Sequence, residues 1–401
     1  MATLHPGNVL TPAERMARRQ LIFRDAISLF TLFLITAVIF VLTFFLFRSF
    51  TRHRQELGTR WRTRGEQALR EGHPDVAIDD LRSALAYVPD RTTEIELATA
   101  LADAGKTDPG KTLEAVAYFT TLSESAPGDG TINLELARLA AQEGNESQAI
   151  LRYQSALDGT WQGNGYDRRR QVRLEMARYL IARREYNPAR TQLLIAAGNA
   201  PDDPAIKLEI AGLLEQAAAP QDALGIYRAL ASRRDPPVAA LEGAGRTAFA
   251  LGMYRLAADY LGRALDSPLA IGLADSDKAA NRGMLETSLR ILSLYPGFDL
   301  TPRIRAERVL YLRKLARERL TACAGTGTTP PSSLAGLVSR WSQIPPEITA
   351  PGLEQKPDLE QTILQLAYDT ETSTAPVCGA PSGDDALLLR IASNPYAVDQ
   401  Q

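Results

Sequence analysis

From Ala26 to Phe47 the chain reads AISLFTLFLITAVIFVLTFFLF, 22 residues without a charge between Arg24-Asp25 and Arg48. As a helix this run spans about 33 Å, against roughly 30 Å of bilayer hydrocarbon. A buried core helix is usually shorter and keeps a polar stripe. A cleaved signal has a shorter apolar core and a small-residue cleavage site, whereas LFRSFTRHR follows here. The pattern predicts one transmembrane helix over 26–47. A basic cytoplasmic stub over 1–25 precedes it, and a juxtamembrane linker over 48–57, able to extend the same helix, follows. No second apolar run of comparable length occurs, so a single crossing is expected.

Beyond residue 57 the apolar positions become helical and recurrent. The first copy, WRTRGEQALREGHPDVAIDDLRSALAYVP, places Trp61, Gly65, Gly72 and Ala77 ahead of Pro89. Small residues at Gly65 and Ala77 allow two antiparallel helices to approach closely, Gly72 suits the turn between them, and Pro89 ends the second helix. The alanine returns at Ala115, Ala149, Ala189, Ala223 and Ala257, at intervals of 38, 34, 40, 34 and 34 residues. A large apolar residue follows each by four: Leu81, Phe119, Tyr153, Leu193, Tyr227 and Leu261. Upstream, IELA, LELA, LEMA and LEIA recur at 95, 134, 174 and 208, with a drifted LEGAG at 241. Two copies are lengthened, at 106–110 and at GTWQGNGYD over 159–167, both Gly-containing as loops are.

This series resembles the tetratricopeptide repeat (TPR) family over residues 58–271, about six units. The resemblance implies an all-α fold, a right-handed solenoid of helix-turn-helix units without enzymatic activity. It also implies a concave groove, lined by the first helices, that holds a peptide segment of a partner protein. Carried over by position, the groove presents Arg62, Glu66, Glu96, Glu135, Arg138, Glu175, Arg178, Glu209 and Arg246. Glu135 with Arg138, and Glu175 with Arg178, are three apart and are expected to pair with each other. The chaperone-docking subset of the family clamps a C-terminal carboxylate with Lys, Asn and Arg. The matching positions here hold Glu and Arg without the Asn.

After residue 271 the repeat decays. Helices over 275–294 and 301–323 are expected to form a degenerate pair within 272–323 that caps the apolar end of the stack. The segment 324–401 carries nine Asp/Glu against three Lys/Arg after Ala324. It reads as an irregular Pro-rich tail with short helices at 332–343, 357–370 and 384–392, and an extended stretch over WSQIPPEITAPGLEQKP.

Composition narrows the chemistry. A net charge of -2 gives no global attraction for nucleic acid. The local cluster Arg168, Arg169, Arg170, Arg173, Arg178, Arg183 and Arg184 has one interleaved aromatic, Tyr179, no series of rings for stacking bases, and reads as a solvated helix face. Three histidines and two cysteines exclude a Cys/His zinc site, and no cofactor is expected. The letters Gly105-Lys106-Thr107-Asp108-Pro109-Gly110-Lys111-Thr112 match a phosphate-binding loop, which requires a preceding strand. ELATALAD precedes them instead, so a lengthened inter-helix turn is the simpler account. Asp79-Asp80 reads as a solvated helix face, and Asn145-Glu146-Ser147 has only the form of a glycosylation acceptor.

Cys323 and Cys378 are expected to form a disulfide, coupled to an oxidising compartment. Arginine counts of four before the span and six after it favour a cytoplasmic C-terminal domain. The short stub before a lone anchor and the cysteine pair favour export, and a periplasmic domain is the expectation adopted. Function then reads as a membrane-anchored scaffold or adaptor for protein partners, perched on the bilayer through residues 26–47. A permanent subunit of a larger membrane complex and a nucleotide switch at Gly105–Thr112 are the alternatives.

Overall fold

The computed structural model describes residues 12–272, 274–324 and 333–400. Among them are eighteen α-helices, one 3-10 turn and no strand, with a single isolated bridge pairing Asp129 and Thr160. The chain divides into two compact units, Met1–Gly165 and Tyr166–Gln401.

Unit 1 is built on α1 (Pro12–Arg70), a helix of 59 residues. It runs unbroken through the apolar stretch and the 48–57 segment into the first repeat. Residues 12–25 of the expected stub are therefore helical, and residues 1–11 lie outside the described residues. No proline separates Phe47 from Trp61, and the one glycine there, Gly58, lies against Val88 of the α2 end, so nothing forces the helix to break. The helices α2 (Pro74–Tyr87), α3 (Arg91–Ala104), α4 (Pro109–Ser125), α5 (Gly130–Gln142) and α6 (Glu146–Asp158) follow. Their starts obey local chemistry: the Asp90 and Asp129 carboxylates accept from backbone N–H groups of α3 and α5, as N-caps do. Ala77, Leu81, Leu97, Ala98, Ala115, Phe119 and Ile132 are fully buried in one core.

Unit 2 contains α7 (Gly165–Ala182), α8 (Tyr186–Gly198), α9 (Pro204–Gln216), α10 (Pro220–Ala231), α11 (Val238–Ala250) and α12 (Tyr254–Asp266). Then come α13 (Asp275–Leu294), α14 (Pro302–Ala324), α15 (Ala335–Ser342), α16 (Ala350–Glu354), α17 (Pro357–Cys378) and α18 (Gly383–Ser393). Ala189, Ala223 and Ala257 are fully buried, as are Ala115 and Ala149 in unit 1.

The C-terminal segment differs from its expectation. The stretch expected to be extended contains α16, and α17 runs eight residues past 370, through Pro376. Pro376 has no N–H for the Thr372 carbonyl four residues back, and the helix ends two residues later. Far from an irregular tail, α15–α18 bury Trp341, Leu353, Ile363, Leu366, Leu388 and Ile391 in a core shared with Val309 and Leu312 of α14. The last residues are tied to the sixth repeat: Arg255 N–H donates to Val398 O, and its guanidinium reaches Asp399 at 2.6 Å and Asp299 at 3.0 Å. Residues 325–332 of the tail lie outside the described residues.

Candidate protein-binding surface

In unit 1 the first helices are the end of α1, α3 and α5. Arg62 on α1 donates from Nε to Glu96 Oε2 at 3.1 Å and from Nη2 to Oε1 at 2.7 Å. Glu66, one turn along α1, lies 2.9 Å from the same Nε, and the Asp90 carboxylate lies 3.5 Å from Nη1. Burial pushes the Glu96 carboxyl above the usual carboxylate range, against the pull of Arg62. The Thr93 backbone N–H holds Asp90 below it. Three carboxylates around one guanidinium leave a negative excess beside a cavity of about 330 Å³ lined by Gln55, Gly58, Thr59, Arg62, Val88 and Thr93. On α5, Arg138 and Glu135 pair at 2.7 Å.

In unit 2 the first helices are α7, α9 and α11. Arg178 on α7 is hydrogen-bonded to Glu209 on α9, while Glu175 lies half-buried one turn earlier on α7. Arg246 on α11 donates to Glu215 Oε2 at 3.0 Å. Glu215 also accepts from Tyr227 Oη at 3.1 Å and from Thr247 Oγ1 at 2.6 Å, binding α9, α10 and α11 at one carboxylate. Burial, reinforced by the Glu215 charge, pushes the Tyr227 phenol well up. Glu215 was invisible as a site residue because it belongs to no repeated motif. Its offset of 31 residues from Arg246, which Arg178 and Glu209 share, is the signal that could have found it.

The other motifs resolve into packing. Gly105–Thr112 connects α3 to α4; the Asp108 carboxylate accepts Gly110 N–H at 2.9 Å, and Thr112 Oγ1 donates to Gly105 O at 3.0 Å. An aspartate thus occupies the helix start where a phosphate would have to sit. Asp79 is exposed, but Asp80 is buried and faces Arg64 Nε at 3.1 Å, correcting the solvated reading of that residue. In the arginine-rich fourth repeat, Arg170 pairs with Asp167 at 2.6 Å and Arg173 donates to Gln192 at 2.7 Å. Asn145 caps α6, accepting Gln148 N–H. Cys323 at the end of α14 and Cys378 at the end of α17 are joined, with Cα atoms 5.7 Å apart.

The model of the tetratricopeptide repeat family matches residues 95–164, which span α3 to α6. Over these residues the chain carries tetratricopeptide repeats. No match was found among curated proteins. Among solved structures, Pseudomonas aeruginosa PilF is similar over 58% of this chain and 99% of its own, at 18% identity and a TM-score of 0.38. The TPR2AB domain of yeast Sti1, solved in complex with pHSP90, covers 58% of this chain and 99% of its own at 14% identity and 0.24. The P58(IPK) TPR domain covers 84% and 97% at 12% identity and 0.29. At these scores none of the three carries a functional assignment.

Two local features of the TPR stack bear on its surface. The turn between the paired helices holds a left-handed residue at Gly72, Gly144 and Gly252, but also at Arg184 (φ 64°) and Ala218 (φ 53°). A side chain in that region costs about 1–2 kcal/mol, so the fourth and fifth TPR turns are the more strained ones. Within unit 1, Trp161 Nε1 donates to Ala156 O at 2.9 Å, and its ring covers Gly130, leaving no room there for a Cβ. The TPR fold suggests a scaffold for protein–protein interaction.

Proposed function

We propose that this protein is a membrane-anchored TPR scaffold that holds protein partners on its first-helix faces. Arg62, Glu66, Glu96, Glu135 and Arg138 form the face in unit 1; Glu175, Arg178, Glu209 and Arg246 form that in unit 2. The observation that carries the reading is the continuity of α1. Its stretch from Ala26 to Phe47 is exposed all round, with Phe33 at 70% and Phe45 at 71%, and the same helix becomes the first wall of the repeat array.

A helix so apolar and wholly unburied is unstable in water and stable in hydrocarbon. Anchoring confines the binding faces to two dimensions and raises their local concentration towards membrane partners. Recognition is then non-covalent, along surfaces pre-organised by inter-repeat ion pairs. The repeat domain lies outside the cytoplasm, a placement supported by the closeness of Cys323 and Cys378, which suits an oxidising compartment.

Photo-crosslinking residues placed at Glu175 and at Glu135 in the full chain, in membranes, test this. The same partner should be captured from these positions and not from Thr191 or Ser155 on second helices. Carbonate extraction should leave the chain in the membrane pellet. Extraction into the soluble fraction removes the anchor, and equal capture from both helix sets removes the binding face. A stoichiometric complex that survives mild detergent turns the reading to that of a permanent subunit.

A further inference from the structure

The first repeat has no flexible tether, and this fixes its height above the bilayer, given the transmembrane reading of residues 26–47. Arg54 lies seven residues beyond Phe47 on α1 and donates to Tyr87 O at 2.6 Å and Ala86 O at 3.2 Å. Those carbonyls are the C-terminal end of α2, which runs back alongside α1 towards the membrane. At 1.5 Å per residue the end of α2 therefore stands about 10 Å beyond the apolar run. The headgroup layer occupies roughly 5–7 Å on each side of the hydrocarbon, so the α2–α3 turn rests just above it.

One arginine falls inside that layer and a second at its outer edge. Arg48 and Arg52 lie about 1.5 and 7.5 Å past Phe47. Both are exposed, and neither makes an ion pair with a described residue. Their spacing of four places them on one side of the helix, whereas Arg54 and Gly58 pack towards α2. Glu56 is the one acidic residue between Phe47 and Arg64, so the collar carries a clear positive excess. Arg60, also exposed, stands about 20 Å past the run, beyond the reach of headgroups.

We propose that Arg48 and Arg52 form a docking collar for anionic phospholipid headgroups, on which the first repeat is seated without a linker. Where the leaflet it faces carries anionic lipid, as in the nanodisc below, a guanidinium at the surface gains about 1 kcal/mol, equivalent to about fivefold in lipid preference for each arginine. The seat holds the array at a fixed distance from the membrane, so the partners it reaches are those whose segments emerge within a few tens of ångströms of the surface.

The test uses the full chain in nanodiscs of phosphatidylcholine with about one third phosphatidylglycerol, followed by release and native mass spectrometry of the lipids retained. Wild type should retain phosphatidylglycerol over phosphatidylcholine. R48Q with R52Q should lower that preference by about 25-fold, and each single variant by about fivefold. R60Q should leave it unchanged. Equal retention of the two lipids by wild type, or an R60Q loss as large as that of the double variant, overturns the collar while leaving the anchor intact. Failure of the chain to enter the disc at all removes the transmembrane reading, and the collar with it.

Discussion

Arg62 and Glu96, 34 residues apart, meet through two parallel hydrogen bonds of 3.1 and 2.7 Å that join the first helix of one repeat to the first helix of the next. The same relation recurs in unit 2 between Arg178 and Glu209, and between Arg246 and Glu215. Charges that look in sequence like ligands for a guest are thus also the fastenings between repeats. They fasten one first helix to the next, and around Arg62 they leave the negative excess of three carboxylates on one guanidinium.

Removing Arg62 should loosen the first interface. Arg62→Ala leaves a half-buried carboxylate at Glu96 without its fork, and the expected loss is about 1 kcal/mol for a partly exposed bidentate pair. Arg62→Lys should not restore it, because a single ammonium cannot reproduce the two parallel bonds. Hydrogen exchange of the detergent-solubilised chain checks both, with α3 amides exchanging several-fold faster and α9 amides unchanged.

Close approach of helices gives a second prediction, made from a pair of glycines. A Cβ at Gly65 would lie 2.7 Å from Leu81 Cγ, whereas one at Gly212 in α9 meets nothing within 4 Å. Alanine normally stabilises a helix interior by about 1 kcal/mol over glycine. At Gly65 overpacking of about 1–3 kcal/mol outweighs that gain, so Gly65→Ala should lower the thermal midpoint. Gly212→Ala should raise it. A rise for both would mean that the α1–α2 contact is looser than it stands here.

Much of the repeat architecture was legible because each unit repeats the same steric problem. The recurring alanine and the large residue four positions later mark where two helices touch, and that constraint survives drift elsewhere. The C-terminal helices were harder to read. Leu353, Ile363, Leu388 and Val398 are all fully buried, yet they are separated by Pro, Gly and Ser that break any period, and their burial is created by tertiary contact. Site residues were legible as positions but not as partners. The link from Glu215 to Tyr227, Arg246 and Thr247 spans two repeats, and only the 31-residue offset to Arg246 hints at it in the sequence.

Joining Cys323 to Cys378 closes a loop of 55 residues that contains α15, α16 and α17. On a loop-closure estimate the bond contributes about 4 kcal/mol. Cys323→Ser with Cys378→Ser, or reduction by dithiothreitol, should lower the midpoint of unit 2 and expose the last turn of α17 to protease. Amide protection in α2–α5 should not change, since neither cysteine belongs to unit 1.

Glu371 supplies the pH dependence. It is fully buried on α17, and neither carboxylate oxygen has a hydrogen-bond partner among the described residues. Facing it are Arg319 on α14 and Asp385 on α18; burial chiefly, and then the Asp385 charge, push its carboxyl up to about 7, with Arg319 opposing. Asp385 is itself raised by burial. In the unfolded chain a glutamate titrates near 4.3, so the folded state holds its proton more tightly. The contribution is fully present below the unfolded value and is lost as pH rises from there through 7, by about 4 kcal/mol in total. Glu371→Gln keeps the neutral shape at every pH and should therefore stabilise the chain at pH 8 while changing little at pH 4. Carboxylates held low, such as Asp384 beside Arg290, act in the opposite sense at acid pH. The discriminating quantity is accordingly the difference in thermal midpoint between wild type and Glu371→Gln, which should grow from near zero at pH 4 to its full value above pH 7; a difference independent of pH would mean that Glu371 stays ionised in the fold.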